Sequence, residues 1–319
     1  MKRSSKILFV VATSLIGAGI ILGIVGLCFM GDNMAFSMSR GVTNNYEIGE
    51  EFSDIIIESG NANVFIMPTD EQGCRVVCEE TDKIYYTVDA EDGMLKILKN
   101  DLRKWYEHIG IFWHELSITV YLPEGEYASL TIEGDTGDVD VAESLDFSSV
   151  NIQTDTGDIN VRATVTESML VSTDTGKVDI SNACVSKLYA SADTGHVTVI
   201  GSEAKALTVN TSTGKVKLCD VKCSGMNIST STGGVVAENV VSEGDAVIRC
   251  TTGNVKLIGF DAKLIDVKTS TGNVYGELLS DKIFSTDTST GKISVPQSEA
   301  TDSRCKVETA TGDIEFKIR

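Results

Sequence analysis

The sequence predicts an all-β protein: a parallel β-solenoid of about ten 19–20-residue rungs with an N-terminal β cap region, preceded by one transmembrane helix. Three observations lead to this prediction. A Thr-Gly pair recurs at nearly constant spacing, apolar residues alternate with polar ones around each pair, and an uncharged apolar run stands near the N-terminus. Self-similarity at a period of about 20 residues is typical of proteins that stack one unit on the next.

The N-terminal apolar run predicts a single membrane span. Lys2, Arg3 and Lys6 precede an uncharged stretch at residues 7–30, which as a helix would extend about 36 Å. A secretory signal would have a shorter apolar region and a small-residue cleavage site. A lipoprotein through Cys28 is disfavoured because a large leucine precedes it. We therefore expect an uncleaved anchor in the cell membrane, with the basic N-terminus cytoplasmic and the rest of the chain extracytoplasmic.

Residues 31–45 are small and polar and are predicted to form a linker, and residues 46–129 an N-terminal β cap region. The cap begins with a degenerate first rung at Ile55–Ile66, which has Gly60 in its turn. Alternating apolar residues predict further strands at Arg75–Glu79, Tyr85–Val88, Leu95–Leu98 and Leu116–Leu122. The aromatic segment at residues 101–115 is expected to cover the end of the first rung, because an open solenoid end needs a cover.

Residues 130–319 are predicted to form the solenoid repeats. Val, Ile or Leu predominate seven and five residues before each repeat glycine and two residues after it, so each unit reads as two short strands joined at a Thr-Gly corner. Glycine permits the left-handed or crowded backbone that such a corner needs. The structural-turn glycines are Gly137, Gly157, Gly176, Gly195, Gly214, Gly233, Gly253, Gly272, Gly291 and Gly312.

Threonines recur one and three residues before these glycines. An even number of residues separates them from the inward apolar positions five and seven before the glycine, so they share the parity of the inward residues along the strand. We expect them to face inward or line the corner, where stacked hydroxyls can form hydrogen bonds along the solenoid. An exposed threonine array would instead resemble the ice-binding face of insect antifreeze solenoids. The parity disfavours that alternative.

Four corners read Asp-Thr-Gly, which in isolation is an aspartic protease motif. The repeat itself explains the motif, because later corners carry Ser, Thr or Ala in place of the aspartate. In the first two rungs, Asp135, Asp138, Asp155 and Asp158 are predicted to lie close together. Their oxygens suit a weak Ca²⁺ site, and the alternative is a solvated acidic face.

Composition limits the other functions. The formal net charge of -19 argues against nucleic acid as a partner. No nucleophile–base pair, phosphate loop or nucleotide fingerprint is present, so we expect neither an enzyme nor a cofactor beyond the weak Ca²⁺. His108 and His114 match no recognised metal-site spacing. The eight cysteines are expected to fill apolar space without a disulfide framework.

The phrase Arg103-Lys104-Trp105-Tyr106, the Tyr121–Glu124 entry (Tyr-Leu-Pro-Glu) and the Asp/Ser-Thr-Gly-x-Val repeat together resemble a bacterial family. These are the "putative adhesin" β-strand-repeat proteins, a membrane-anchored domain of unknown function. The resemblance covers about residues 50 to 319. It implies an extracytoplasmic solenoid, sometimes linked to envelope stress, and it brings no catalytic residues.

The leading hypothesis is a non-catalytic binding or structural role at the bacterial cell envelope, with a cell-wall polymer or an envelope protein as partner. The alternatives are a sensor or regulatory partner of membrane proteins, and a polysaccharide-acting enzyme, for which the rungs are narrow. The final rung, Glu308 to Arg319, is expected to leave an open strand edge that permits end-to-end association. Gly19 and Gly23 offer an anchor-mediated route to self-association.

Overall fold

The computed structural model describes residues 16, 17, 19, 41–104, 115–298 and 302–319, and those from residue 41 onward form one compact β unit. The cap contains β1 Gly41–Ile48, β2 Asp54–Gly60, β3 Asn63–Thr69, β4 Cys74–Thr81, β5 Ile84–Glu91, β6 Met94–Asp101 and β7 Ser117–Pro123. The repeats contain β8 Glu126–Thr136, β9 Val139–Val141, β10 Asp146–Thr156, β11 Ile159–Val161, β12 Thr164–Thr175, β13 Val178–Ser181, β14 Cys184–Thr194, β15 Val197–Ile200, β16 Glu203–Thr213, β17 Val216–Thr232, β18 Val235–Thr252, β19 Val255–Thr271, β20 Val274–Leu278, β21 Ile283–Thr290, β22 Ile293–Ser294, β23 Arg304–Thr311 and β24 Ile314–Ile318.

The predicted parallel β-solenoid is confirmed. Long strands stack in parallel on one face, as in β8–β10–β12–β14–β16, and short strands stack on the other, as in β9–β11–β13–β15, which continues onto the first residues of β17. The units differ from two equal short strands, because β10, β14 and β16 each run for 11 residues while β9 and β11 have only three. Inward side chains from both faces form one continuous apolar core.

A second corner, which the repeat pattern did not reveal, returns each short strand to the next long one. Five residues, each six positions after a repeat glycine, hold positive φ angles of 54–60°: Asn182, Gly201, Asp220, Asn239 and Gly259. Asn, Asp and Gly are the residues that tolerate this left-handed conformation. The column is visible in the sequence once the rungs are aligned, and it marks the second turn of the chain in these five rungs.

The N-terminal cap is built from rungs placed out of chain order. The strands β2 and β3, which contain the stretch predicted as a degenerate rung at residues 55–66, stack directly on the first repeat rung through β8 and β9. A further rung, β6 and β7, covers it on the other side. Antiparallel strands β5, β4 and β1 then close the end. The strand β1 begins at Gly41, inside the stretch predicted to be linker.

The corner of that outer cap rung lies between β6 and β7. The aromatic flap predicted there, with Trp105 and Trp113, and the pair His108 and His114 fall at residues 105–114, outside the described residues.

The C-terminal end corrects the prediction that Glu308 to Arg319 forms the open edge. Strand β23 pairs with β19 on one side and with β21 on the other, and β24 lies between β20 and β22 in the same way. The last rung in sequence is therefore inserted next to last in space. The rung formed by β21 and β22 stands at the end of the described stack, and its outer edge has no strand partner among the described residues.

A buried ion pair lies at the crossover that carries the chain past the inserted rung. The chain leaves β20, bypasses the inserted rung and enters β21 through residues 279–282. The Lys282 side chain is 1% exposed, and its Nζ lies 2.5 Å from both Asp261 Oδ1 and Ser280 Oγ. A charge this deeply buried is tolerated only when it is paired, and Asp261 supplies the opposite charge.

Of the predicted membrane span at residues 7–30, only residues 16, 17 and 19 are described, and these are helical. Within the described part of the chain, no helix is long and apolar enough to cross a membrane.

The inserted rung predicts a specific cross-link. Lys268 and Glu308 are register partners in β19 and β23, with Lys268 Nζ 3.2 Å from Glu308 Oε2. If the rungs stacked in the order of the sequence, Lys268 would lie beside Asp287 instead. In mild oxidant we expect the double variant Lys268→Cys/Glu308→Cys to form an intramolecular disulfide, because adjacent strands bring Cα atoms within about 7 Å.

The matched variant Lys268→Cys/Asp287→Cys places its thiols two strands apart and should stay reduced. Peptide mapping without reductant measures both. The opposite pattern would show that the rungs stack in chain order.

Candidate binding surface

The Thr-Gly corner is the most regular feature of the surface. All ten repeat glycines lie in one column, and a Cβ added to any of them would overlap the backbone carbonyl of the neighbouring rung. The Gly137 and Gly176 amides, for example, donate to the Thr156 and Thr194 carbonyls of the next rung at 2.9 and 3.0 Å. Backbone meets backbone here with no room for a side chain, which is why the corner needs glycine.

The two threonine columns have different roles. Seven of the ten rungs carry a threonine three residues before the glycine, and six of these threonines are buried, as at Thr173 (1% exposed) and Thr230 (2%). The buried hydroxyl donates to the corner glycine carbonyl of the neighbouring rung: Thr173 to Gly157 at 3.1 Å, and Thr230 to Gly214 at 3.2 Å. The expected internal hydroxyl ladder is present in this column. The threonine directly before each glycine is exposed, so that column lines the corner and does not face the core.

The ladder breaks off at its N-terminal end. Gly134 and Gly60 occupy the ladder position in the first repeat rung and the degenerate rung. Ser59 Oγ fills the space beside Gly134 and lies 3.3 Å from the Glu133 carbonyl oxygen. Thr154, 6% exposed, is the buried residue whose side-chain oxygen has no hydrogen-bond partner within the described residues.

The residue directly after the glycine makes a second set of inter-rung bonds. Asp138 Oδ1 accepts from the Asp158 amide at 2.8 Å, and Asp158 Oδ1 accepts from the Lys177 amide at 2.7 Å. His196 Nδ1 accepts from the Lys215 amide at 3.0 Å in the same way. Two of the four aspartates predicted as calcium ligands therefore satisfy backbone donors that the corner leaves open.

An open groove of about 530 Å³ lies on the long-strand face beside these corners. Its lining is acidic and polar, with one cation, and comprises Glu58, Gly60, Lys99, Glu133, Gly134, Asp135, Gln153, Thr154, Asp155, Ser172 and Asp174. The Lys99 side chain from the cap strand β6 lies over Gly60, and its Nζ lies 3.2 Å from Asp135 Oδ2. The groove thus runs from the cap onto the first repeat rungs with an excess of negative charge.

The four predicted calcium ligands are divided between two columns. Asp135 and Asp155 line the groove, and Asp138 and Asp158 lie across the corner from it. Lys99 and Lys177 pair with Asp135 and Asp158. Among the described residues, no group of three or more His, Cys, Asp or Glu side chains is arranged to hold a metal ion. Calcium binding here stays a prediction.

Beyond the groove, the long-strand face becomes flat and less charged. Tyr189 is 37% exposed, and its hydroxyl accepts from Asn210 Nδ2 at 3.4 Å. The most strongly displaced pKa values belong to groups elsewhere, in the core. Burial raises the pKa of the Cys74, Cys78 and Cys305 thiols to about 12 each, which keeps them protonated and unreactive at neutral pH.

The sequence model of the Toastrack domain DUF4097 matches residues 52–199 and 182–318. The chain belongs to the Toastrack DUF4097 family. This confirms the resemblance drawn from the cap phrase and the repeats.

Solved structures are similar at low identity. A "putative adhesin" from Bacteroides fragilis is 14% identical over 87% of this chain and 97% of its own, with a TM-score of 0.39. A "putative adhesin" from Parabacteroides merdae is 9% identical over 87% and 96%, with a TM-score of 0.46. A "putative lipid binding protein" from Parabacteroides distasonis is 11% identical over 86% and 98%, with a TM-score of 0.34. None of the curated proteins compared with the sequence matches it.

The crowded corner predicts that Gly195→Ala is strongly destabilising. Gly195 has φ 155°, and a Cβ there would overlap the Gly176 carbonyl. We expect a loss of about 3 kcal/mol or more in the free energy of unfolding. The matched control is Gly125→Ala, where a Cβ meets no atom within 4 Å, and it should change stability by less than about 1 kcal/mol. Chemical denaturation measures both. Equal effects would contradict the packing described for the corner.

The hydroxyl ladder predicts opposite effects for two identical substitutions. Thr230→Val removes the donor to the Gly214 carbonyl and should cost about 1–2 kcal/mol of unfolding free energy. Thr154→Val removes a buried hydroxyl that has no partner and should leave stability unchanged or slightly increased. Thermal melts of the two variants against the wild type make the comparison. A larger loss for Thr154→Val would contradict the ladder.

A separate experiment tests the predicted calcium site. The predicted weak calcium site requires a higher Tm in millimolar Ca²⁺ than in chelator, because ligand binding to the folded state raises Tm. The rise should disappear in Asp155→Asn, and wild-type melts that coincide in the two conditions would contradict the site.

Proposed function

We propose that this chain is a non-catalytic, membrane-anchored solenoid that binds a partner at the bacterial cell envelope. The groove on the long-strand face is the observation that carries the proposal. It is a concave surface lined by carboxylate, amide and hydroxyl groups, on a scaffold held rigid by inter-rung hydrogen bonds. In a repeat fold, the outward positions that the repeat does not dictate are free to carry a binding site.

The chemistry of the groove favours a polymer or a protein segment carrying positive charge and hydroxyl groups. Five carboxylates and one lysine line it, so a cationic partner gains Coulomb energy there while an anionic one is repelled. Cell-wall polymers and envelope proteins can both present such groups. The names of the similar structures, an adhesin and a lipid-binding protein, are compatible with binding but do not choose between these partners.

The groups with strongly raised pKa values are buried cysteines and tyrosines of the core, where desolvation is the largest cause, and none of them lines the groove. A sensor acting through the same groove would differ from this proposal only in the consequence of binding.

The anchor belongs to the same proposal. Residues 7–30 hold an uncharged apolar run behind three basic residues, which supports a single span with the solenoid outside the cytoplasm. Protease added to intact wall-stripped cells should degrade the repeats. Their full protection until the membrane is lysed would contradict the placement.

The groove is tested by comparing two aspartates in the same column. Asp174 lines the groove, and Asp193 stands one rung further, outside it. Full-length protein in detergent is incubated with purified cell-wall polymer and, separately, with cross-linked membrane proteins. We expect Asp174→Lys to reduce retention several-fold and Asp193→Lys to leave it near wild type, and added salt should weaken wild-type retention. Equal retention of both variants would contradict a groove-centred site.

A further inference from the structure

The C-terminal end of the described stack leaves its core uncovered. Ile293 belongs to the inward column two residues after each glycine, whose other repeat members are at most 2% exposed. Ile293 itself is 45% exposed, and Phe284 beside it is only half-buried and packs against Phe316. The apolar surface of the terminal rung would be covered completely if one more layer of strands stacked on it.

The backbone edge of this rung is also open. Strand β21 is paired on one side by β23, and β22 by β24, with no further strand among the described residues. Exposed edges in soluble proteins usually carry lysines, prolines or bulges that prevent pairing. Over its eight residues β21 carries one charge, Asp287, and no proline. The cationic side chains of Lys317 and Arg319 lie one rung inward and pair with Glu277, so they do not protect this edge.

Charge distinguishes this end from the rest of the molecule. Residues 130–199 hold twelve acidic and three basic residues, a net charge of -9. Residues 281–319 hold seven acidic and six basic residues, a net charge of -1. Two copies of a chain with charge -19 repel each other over most of their surface. The C-terminal end is where they can meet without that cost.

We infer that the terminal rung docks against the same rung of a second copy. A two-fold axis pairs β21 with its counterpart antiparallel and β22 with its counterpart in the same way, which joins the two solenoids end to end. The contact buries Phe284, Ile293 and Val295 from both copies and completes both strand edges. Because the same surface is used by each partner, the assembly closes as a dimer rather than growing into a filament.

The opposite end of a second copy fits less well. The cap presents the outer strands β5 and β1, which pair antiparallel with their neighbours. Strand β5 carries Asp89 and Glu91 and no basic residue, so its edge is acidic. Head-to-tail contact would also repeat without closing.

Sedimentation of the full-length protein in detergent, over a wide concentration range, tests the inference. We expect the wild type to pass from one to two copies per particle. Ile293→Lys should require at least a tenfold higher concentration for the same transition. The matched control is Ile200→Lys, which changes an isoleucine of similar exposure, 39%, in the middle of the solenoid, and it should follow the wild type.

Ser285→Lys is a second variant that leaves the core untouched, because this exposed β21 residue adds a charge to the edge alone. It should weaken the dimer as Ile293→Lys does. The wild type and the three variants share the same anchor, so association through the anchor cannot produce a difference in dimerisation between them. Identical concentration dependence for wild type and both end variants, a wild type that stays monomeric, or growth beyond two copies would overturn the inference.

Discussion

The close stacking of corner glycines is the constraint on which the rest of the structure depends. Each corner places its backbone directly against the backbone of the neighbouring rung, with an amide-to-carbonyl bond as at Gly214, whose N–H lies 2.8 Å from the Thr232 oxygen. This contact fixes the register of every strand that leaves the corner. Because side chains alternate along a strand, one fixed point determines which residues face the core. The threonine hydroxyls, and the side chains directly after the glycines, then form hydrogen bonds with the backbone carbonyls and amides that remain unpaired at the corner.

The same constraint separates repeated positions from free ones. The glycine, the buried threonine and the inward apolar residues are dictated by the neighbouring rungs, so they cannot carry specificity. Outward positions such as Asp174 and Tyr189 have no such role and can vary from rung to rung. The acidic groove and the nearly neutral C-terminal end both arise in those free positions. Function in this protein therefore depends on the differences between rungs.

The sequence was sufficient for the fold class, the corner glycines, the degenerate rung and most cap strands, because periodic apolar residues report directly on which side is buried. Spatial order was not predictable. The insertion of β23 and β24 between earlier rungs depends on long-range pairing, and no periodicity reveals either this pairing or the buried Lys282–Asp261 pair. The Asp138 and Asp158 carboxylates looked like cation ligands in sequence, since their backbone partners one rung away become visible only in three dimensions.

Native-state hydrogen exchange of the full-length protein tests the central constraint most directly. If backbone contact at the corners holds the rungs together, peptides that span the middle corners, around Gly195, Gly214 and Gly233, should exchange slowly and as one cooperative unit. The exposed turn at residues 70–73 should exchange fast. Corner peptides that exchange as fast as that turn, while the strands on either side stay protected, would contradict the account.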